Sequence, residues 1–429
     1  METVFALASG PGIAAIAVIR VTGPAAASAV AALTGRAVPA PRRASQRRLI
    51  DATGHVLDEA LVLWFPGPAS ATGEDLAELH CHGSRAVVDG VLAALAAVPG
   101  CTAAEPGEFT RRAFLNGKLD LVKVEALGDL LTAETEAQRH QALGAFGGGL
   151  SALADTWRRS LATALALVEA TIDWADEDVP QDVSPEVRQR IDQVAVSMAE
   201  ALAGQAAAMR LRDGYEVVLI GAPNAGKSTL LNAVAGHEAA ITAAEPGTTR
   251  DFVEVSLSLD GLPVTLVDTA GLRSGDDVGA VEATGIARTL TRAAAADLRL
   301  FLDAPDAPLP GEAAALWHDG DLSVAVKGDL MPRVGAVSAV TGAGLPELRR
   351  TVAGILGERA SRASSVISLR QRGVVGAAAE ALARATSQGE TELLAEELRA
   401  ALAALEHLTG RTSPDDVLAE VFGRFCLGK

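Results

Sequence analysis

Short apolar runs separated by glycine and proline turns open the chain, and they predict β-strands. The runs cover 4–7, 13–20 and 59–65, with the lengths that strands in globular proteins usually have. Helical apolar spacing covers 25–33 and 84–97. Residues 1–118 are therefore predicted to form an α+β domain.

Apolar spacings of three and four residues follow from about 121 to 212 and predict long helices. One helix carries a stripe made of Leu150, Leu153, Trp157, Leu161, Leu165, Val168 and Ile172. A second helix is predicted over 185–209, after an acidic connector at 173–182. Near the end of the chain, a further helical stripe consists of Leu393, Leu394, Leu398 and Leu402. We expect the two helical segments, 119–212 and 361–429, to pack as one bundle.

The segment between the helical ones, 213–360, has a different pattern. Alternating polar and apolar residues predict a hairpin over 253–267 that turns at Asp260 and Gly261. Further apolar runs alternate with helical stretches, at 217–220, 298–303, 323–327 and 334–338. This pattern predicts a mostly parallel sheet wrapped by helices, an α/β domain inserted into the helical one.

The strongest chemical signal is G-A-P-N-A-G-K-S at 221–228, between an apolar strand and a helix. The glycines at its two ends let backbone N–H groups approach a phosphate, and a helix N-terminus adds partial positive charge. Lys227 can reach the β- and γ-phosphates, and the Ser228 hydroxyl can join a magnesium shell. A βα turn without a ligand is the alternative interpretation.

Two later motifs extend this site. Asp268 ends the returning hairpin strand and begins D-T-A-G, as in the second magnesium-binding element of phosphate-loop enzymes, and Gly271 lets the backbone approach a γ-phosphate. K-G-D and S-A each follow a strand, and Asp329 can accept hydrogen bonds from guanine N1 and N2. This arrangement resembles the base-recognition loops of translation-factor-type GTPases, except that Val326 replaces the expected Asn or Thr.

Composition limits the possible partners. The chain has 429 residues, 49% of them apolar and 3% aromatic, and a net charge of −17. A protein that holds RNA or DNA alone normally has a basic face. Nucleic-acid binding here therefore requires a basic partner or a local patch, and the obvious basic cluster consists of Arg42, Arg43, Arg47 and Arg48.

Three cysteines, Cys81, Cys101 and Cys426, have no metal-binding or redox spacing, which favours a reducing compartment. No basic leader precedes the first apolar run, and no uninterrupted apolar stretch of about 18 residues occurs. We therefore expect a soluble, cytoplasmic protein.

Two further stretches permit more than one interpretation. His80 and His82 flank Cys81, but two such residues without further ligands are more often strand side chains than a metal site. The charged and aromatic block at 105–121 indicates either a binding site or interface, or a capped helix followed by a turn at Asn116-Gly117.

Four motifs of the middle domain together resemble the Era/MnmE-like branch of GTPases: G-A-P-N-A-G-K-S-T-L-L-N, G-T-T-R-D, D-T-A-G-L-R and S-A-x-T-G-x-G. The terminal F-C-L-G-K narrows the resemblance to the MnmE (TrmE) family, whose members help to modify the wobble uridine of certain tRNAs. T-G-E-D-x-x-E-L and P-G-E-F-T-R-R-A-F-L-N-G-K-L-D-L near the N-terminus also look like that family. The resemblance thus covers essentially the whole chain.

The resemblance implies a site for GTP and magnesium. Magnesium would be held by Ser228, Thr249 and, through water, Asp268. The nucleotide contacts would be Asn224, Ala225, Gly226, Lys227, Ser228, Thr229, Thr248, Thr249, Asp268, Thr269, Ala270, Gly271, Lys327, Asp329, Ser338 and Ala339.

The resemblance also implies how hydrolysis is assisted. Leu272 stands where Ras-type enzymes carry the glutamine that orients water, and the family's catalytic glutamate falls on Glu282, for which an ordinary exposed helix residue is the alternative. A potassium ion would take the place of an arginine finger. Its ligands would be Asn224, Ala243, Glu245 and Thr248.

A folate is the third ligand that the resemblance implies, as 5-formyl- or 5,10-methylene-tetrahydrofolate in the N-terminal domain. Its binding residues fall on Arg20, Glu78, Lys118 and Lys429. The three cations can pair with the glutamate tail of a folate, and the Glu78 carboxylate can accept hydrogen bonds from its pterin. Each residue alone would be interpreted as a member of a surface ion pair. Cys426 is either a reactive thiol or a small apolar residue.

The implied assembly is a homodimer that works with the FAD-carrying flavoprotein MnmG (GidA), in a heterotetramer or larger complex that reaches tRNA, with no membrane involved. Together they would add a carboxymethylaminomethyl or aminomethyl-type group to C5 of the wobble uridine. An Era-like ribosome-assembly switch is the main alternative, but the tail lacks a G-x-x-G loop in a basic setting. A folate-dependent one-carbon transferase with a vestigial GTPase is disfavoured by the intact phosphate loop.

Overall fold

The computed structural model describes residues 2–173, 184–237, 253–268, 291–309, 311–363, 368–387, 390–412, 415–423, 425 and 428. The chain divides into two compact units. The first comprises 1–128, 151–155 and 402–429, and the second comprises 129–150 and 156–401.

A six-stranded sheet forms the centre of the first unit, with strand order β3-β4-β5-β2-β1-β6. Neighbouring strands are antiparallel except for β1 and β6, which are parallel. The strands are β1 (Thr3–Leu7), β2 (Ala14–Thr22), β3 (Ser45–Ile50), β4 (Val56–Phe65), β5 (Leu76–Gly83) and β6 (Cys101–Ala103). Two helices, α1 (Ala26–Thr34) and α2 (Arg85–Ala96), pack on this sheet around a core that includes Ile19, Leu79 and Leu95. The predicted α+β architecture is confirmed.

The edge strand β3 was not among the predicted strands. Its sequence S-Q-R-R-L-I contains charged and polar residues, and Leu49 alone is buried. A strand at the edge of a sheet can carry charges because one of its sides has no neighbouring strand. The apolar pattern that reveals central strands is therefore absent here.

Two helices, α3 (Glu108–Leu115) and α4 (Leu121–Thr132), follow the sheet. The block at 105–121 thus forms a helix that ends at Asn116, with Gly117 in a left-handed conformation (φ 67°). This local structure agrees with the capped-helix interpretation. The Phe114 ring lies 5.8 Å from that of Phe422, so the block also packs against the last helix.

Further helices in the described part of the chain are α5 (Glu136–Phe146), α6 (Gly149–Asp173), α7 (Ser184–Ala203), α8 (Gln205–Asp213), α12 (Leu369–Ser387), α13 (Thr391–Thr409) and α14 (Asp415–Gly423). The stripe on α6 is confirmed at Leu150, Trp157, Leu161 and Val168, but Ala154 and Ala164 are buried rather than Leu153 and Leu165. The α12 helix packs on α7.

Two helix predictions were wrong in detail. The single helix predicted over 185–209 is two helices, because the chain leaves the first at Gly204, a residue that costs about 1 kcal/mol inside a helix relative to alanine. On α13 the buried face is shifted: Leu393 is 40% exposed, whereas the buried residues are Ala395, Leu398, Ala401, Leu405 and Leu408. Alanine side chains are small enough to let helices pack closely, and a stripe predicted from leucines alone does not include them.

A five-stranded sheet forms the centre of the second unit, with order β11-β10-β7-β9-β8, and all neighbours are parallel except β8 and β9. Its strands are β7 (Tyr215–Ile220), β8 (Val253–Leu259), β9 (Leu262–Asp268), β10 (Leu298–Asp303) and β11 (Leu322–Ala325). Among the described residues, the helices that belong to it are α9 (Lys227–His237), α10 (Gly311–Ala314) and α11 (Leu345–Ala360).

The predicted hairpin is confirmed. Asp260 (φ 49°) and Gly261 (φ 83°) both have positive φ, as a two-residue hairpin turn of this hand requires. The strand predicted at 334–338 is only an isolated bridge between Val326 and Val337. Val334 is fully exposed there, so the segment lacks the burial that would hold a complete strand.

No helix within the described ranges combines the length and the apolar composition that a bilayer span requires.

The buried Arg112 provides a test of the first unit. Its guanidinium pairs with Glu74 at 3.0 Å and Glu108 at 2.6 Å, and its side chain is 5% exposed. Arg112→Leu leaves both carboxylates without this partner and should lower the free energy of unfolding by about 3 kcal/mol. Urea unfolding followed by circular dichroism measures the change. Arg111→Leu, at an exposed position on the same helix, is the control, and equal losses for the two variants would contradict this account.

Candidate nucleotide site

The phosphate-loop sequence connects β7 to α9 with the expected backbone geometry. Asn224 (φ 63°) and Gly226 (φ 93°) are left-handed, and Gly226 leads directly into the first residue of α9. A Cβ at Gly221 would lie 3.2 Å from the Cβ of Leu302 on β10, so a larger residue would push the loop away from the sheet. Gly226 therefore allows the left-handed turn, and Gly221 allows the loop to pack closely on β10.

The Lys227 side chain folds back over this loop. It is 7% exposed, and its Nζ donates hydrogen bonds to the carbonyl oxygens of Gly221 and Ala222, both at 3.0 Å. Burial lowers the pKa of Lys227, while the nearby Asp268 carboxylate opposes that shift. An incoming phosphate would supply the anionic partner that this ammonium group lacks within the loop.

The carboxylate of Asp268 lies at the carboxyl end of β9, next to the start of α9. Leu219 on β7 is its register partner, and the Ser228 hydroxyl donates to its Oδ2. Asp268 is 8% exposed, and no donor from the described residues reaches its Oδ1. A hydroxyl and a carboxylate with an unused oxygen are hard ligands of the kind that magnesium prefers. The residues present therefore fit a magnesium ion.

The base-recognition residues lie together at the other end of the loop. The Ser338 hydroxyl donates to Asp329 Oδ1 at 2.7 Å and accepts from the backbone N–H of Thr341 at 3.1 Å, which orients the carboxylate. A pocket of about 520 Å³ is lined by Ala225, Gly226, Thr229, Leu230, Val326, Lys327, Asp329, Leu330, Ala339 and Val340. The structure thus brings the loop and both predicted base motifs to one cavity.

Lys327 has a partner that the sequence did not suggest. Its backbone is left-handed (φ 58°), and its Nζ lies 2.6 Å and 2.7 Å from the two carboxylate oxygens of Asp306. Asp306 follows β10 in the loop D-A-P-D-A-P. An acidic residue just after a parallel strand is the sequence feature that could have indicated a place at the site.

Val326, which replaces the expected Asn or Thr, belongs to the apolar core. It is 7% exposed and lies in the cluster that contains Val324 and Val337. Its backbone N–H donates to the Asp303 carbonyl oxygen at 3.0 Å. The position is therefore used for packing, and no side-chain amide is present to contact the phosphate loop.

Several predicted site residues lie outside the described residues. They are Ala243, Glu245, Thr248, Thr249, Thr269, Ala270, Gly271, Glu282, Cys426 and Lys429.

In the first unit, Arg20 and Glu78 are register partners on β2 and β5. Arg20 Nε donates to Glu78 Oε1 at 2.9 Å, and His80 Nε2 lies 3.2 Å from Glu78 Oε2. Burial raises the pKa of Glu78, but the hydrogen bonds from Arg20 and His80 outweigh it, so the pKa lies below its ordinary value. Lys118 is exposed on the turn after α3. His80 is a second neighbour of the Glu78 carboxylate. Reasoning from the sequence assigned His80 no role in this site.

The interpretation of His80 and His82 as strand side chains is confirmed, since both lie on β5. His82 Nδ1 lies 2.7 Å from Asp58 Oδ1, and burial raises the pKa of the Cys81 thiol to about 12. Within the described part of the chain, no three His, Cys, Asp or Glu side chains form a metal-binding group.

The C-terminal tail packs on the N-terminal sheet. Gly428 has a positive φ of 86°, and a Cβ there would lie 2.7 Å from the Cα of Ala8. Ala8 follows β1, whose Ala6 is the register partner of Arg20. The chain neighbour of Lys429 is therefore held close to the strand that carries Arg20.

Comparison with known proteins covers the whole chain. A model of the N-terminus of the GTP-binding protein TrmE matches 3–118, and a model of the MnmE helical domain matches 121–426. The tRNA modification GTPase MnmE of Dinoroseobacter shibae is 48% identical, and that of Cereibacter sphaeroides is 50% identical, each over 100% of both chains.

Solved structures with similarity to this chain include the G domain of the Thermotoga maritima FeoB iron transporter, with 24% identity, a TM-score of 0.25, and coverage of 33% of this chain and 98% of that one. Aquifex aeolicus Era bound to GDP and AlF4⁻ has 19% identity and a TM-score of 0.26, and the match covers 41% of this chain and 68% of that one.

Asp268→Asn tests the magnesium assignment. Since one oxygen of this buried carboxylate has no partner among the described residues, loss of its charge should leave the ligand-free thermal stability unchanged or higher. Nucleotide at 100 times its Kd stabilises a protein by about 2.7 kcal/mol, and the variant should lose the part of this gain that requires magnesium. Thermal unfolding with GDP, with and without magnesium, measures both effects.

The control is Asp303→Asn, at the end of the neighbouring β10, where the carboxylate is exposed and pairs with Arg333 at 2.9 Å. Magnesium-dependent stabilisation that survives in Asp268→Asn would contradict the assignment.

Proposed function

Because the chain belongs to the MnmE family of tRNA modification GTPases, we propose that it hydrolyses GTP at Lys227, Ser228 and Asp268 in support of tRNA modification. One observation carries the proposal: a buried ammonium group, a hydroxyl and a buried carboxylate meet where β7, β9 and the start of α9 converge. A site of this kind has the charges that a nucleoside triphosphate and its metal need.

Each residue has a distinct role in this proposal. Lys227 exchanges its two loop carbonyl partners for the β- and γ-phosphates. Ser228, Thr249 and, through water, Asp268 would hold magnesium. When bound, the ion neutralises charge that develops on the phosphate oxygens during hydrolysis.

Guanine selection is assigned to Asp329. The hydrogen bond from Ser338 leaves the other carboxylate oxygen, and further lone pairs, to accept from guanine N1 and N2. Adenine does not present that pair of donors, so the carboxylate favours guanine. Val326 adds no polar contact, which predicts weaker nucleotide binding than an Asn would give.

Water activation is assigned to Glu282, which matches the catalytic glutamate of the family, since Leu272 has no polar group to orient water. Potassium is proposed to lie beside the β- and γ-phosphates, with Asn224 as one ligand and Ala243, Glu245 and Thr248 as the others. The left-handed Asn224 belongs to the phosphate loop itself, which is consistent with such a place. Hydrolysis would then depend on pairing of the G domains in a homodimer.

The N-terminal domain, 1–118, is proposed to hold the tetrahydrofolate. The Arg20 and Glu78 pair fits this role, since a carboxylate oxygen that already accepts one hydrogen bond has a lone pair left for a pterin N–H. The packing of Gly428 beside the end of β1 supports a place for Lys429 near Arg20. Lys118 would contact the tail of the folate.

The wider assembly follows the family. The homodimer is proposed to act with the FAD-carrying flavoprotein MnmG in a heterotetramer or larger complex in the cytoplasm, adding an aminomethyl-type group to C5 of the wobble uridine. The helical segments, 119–212 and 361–429, would form one domain around the G domain at 213–360. The packing of α12 on α7 is consistent with that organisation.

Phosphate release from GTP in potassium and in sodium tests the hydrolysis proposal. Potassium should raise the rate roughly tenfold or more, because it supplies positive charge where charge develops in the transition state. Glu282→Ala should bind GTP but turn over roughly 100-fold more slowly. Glu347→Ala, an exposed glutamate on α11, is the control and should behave like the wild type. Equal rates in the two salts would refute the potassium role.

Gly428→Ala tests the folate proposal. A left-handed conformation costs a residue with a Cβ about 1–2 kcal/mol, and the contact with Ala8 adds to this cost. We expect roughly tenfold weaker binding of 5-formyl-tetrahydrofolate by calorimetry, with GTP hydrolysis unchanged. Gly423→Ala is the control, because a Cβ there meets nothing within 4 Å. Unchanged folate affinity in Gly428→Ala would show that the tail takes no part.

A further inference from the structure

One segment near the start of this acidic protein carries positive charge without any acidic residue. Residues 20–50 contain six arginines and no Asp or Glu, whereas the whole chain has a net charge of −17. Arg20 pairs with Glu78, and Arg42 donates to the Ala69 carbonyl oxygen. The other arginines of the segment are Arg36, Arg43, Arg47 and Arg48.

Folding gathers three of these arginines around one concave surface. Arg36 follows the end of α1, and Arg47 and Arg48 lie on the edge strand β3. They line a concavity of about 890 Å³ with Thr34, Gln46, Ile50 and Glu59. We call these residues the arginine surface.

The arginine surface is positively charged overall. Its one carboxylate, Glu59, is shared by Arg48 at 3.3 Å and Gln46 at 3.4 Å, and both members of the ion pair are more than half exposed. In the part of the chain that the structure describes, no carboxylate forms an ion pair with Arg36 or Arg47. Two guanidinium groups thus remain available to an anion.

Protection of a sheet edge is the simpler explanation for charges on β3. It accounts for Arg47 and Arg48, but not for Arg36, which lies outside the strand and contributes to the same concavity. It also does not account for a segment in which every charged residue is an arginine. A ligand with several anionic groups explains all three observations.

The chemistry of the surface favours phosphates. A guanidinium group presents paired N–H donors that match phosphate oxygens, and a lysine does not. The lining contains no aromatic side chain for stacking on bases and no aromatic anchor of the kind that protein interfaces favour. The surface is therefore suited to a sugar–phosphate backbone rather than to bases or to a protein partner.

We propose that the arginine surface binds the phosphate backbone of the tRNA substrate, so that this chain contacts tRNA itself. The proposal rests on the function proposed above, which makes a tRNA the substrate. The net negative charge of the chain disfavours RNA binding at its acidic surfaces, which makes a basic surface such as this one the favoured contact. Contacts of this kind position the RNA and read no sequence.

The test compares the full-length protein with Arg36→Gln/Arg47→Gln. The probe is a fluorescently labelled, transcribed tRNA with a wobble uridine, and anisotropy gives its Kd at several salt concentrations. We expect tRNA binding by the wild type that weakens with salt. The double variant should bind at least about tenfold more weakly at low salt, and its slope of log K against log salt should be smaller by about two.

The control is Arg85→Gln/Arg350→Gln, which removes the same charge at positions whose side chains are 93% and 70% exposed. It should retain the wild-type affinity and slope. Equal losses of tRNA affinity in the two double variants would show that net charge alone causes the effect, and they would overturn the proposal. The absence of tRNA binding by the wild type at low salt would also overturn it.

Two further readouts separate the possible failures. A double variant that keeps its tRNA affinity but no longer associates with the flavoprotein partner would make the surface a protein docking site and overturn the RNA assignment. GTP hydrolysis, measured on the same preparations, should be unchanged in both double variants. Hydrolysis that is absent from the wild type would instead refute the proposed function, whatever the tRNA result.

Discussion

The contact between Ser228 and the buried carboxylate of Asp268 sets the geometry of the nucleotide site. It exists because parallel pairing of β7 with β9 places Asp268 beside Leu219, at the end of the strand that enters the phosphate loop. Lys227 is buried in the same place. Burial disfavours both charges, and a phosphate beside Lys227 and a cation beside Oδ1 of Asp268 would offset that cost.

The first unit is organised by contacts between distant parts of the chain. Arg112, on a helix, is held by Glu74 and Glu108, and the last helix packs on the same region through Phe422. Gly428 then reaches the end of β1. Gly428 therefore lies close to the sheet that contains β1.

Charge is distributed as unevenly as the apolar residues. The chain as a whole is acidic, whereas 20–50 carries six arginines and no Asp or Glu. Arg20 forms a partly buried ion pair with Glu78. On the arginine surface, Arg48 shares the exposed Glu59 carboxylate, and Arg36 and Arg47 have no ion-pair partner among the described residues.

Local sequence determined the features that depend on near neighbours: the phosphate loop, the Asp260-Gly261 hairpin turn, the stripe on α6 and the fold class. Tertiary structure decided the rest. The edge strand β3 and the alanine face of α13 depend on what packs against them. The burial of Val326, the contact of Ser228 with Asp268 and the pairing of Lys327 with Asp306 also needed the fold, because partners far apart in sequence leave no periodic signal.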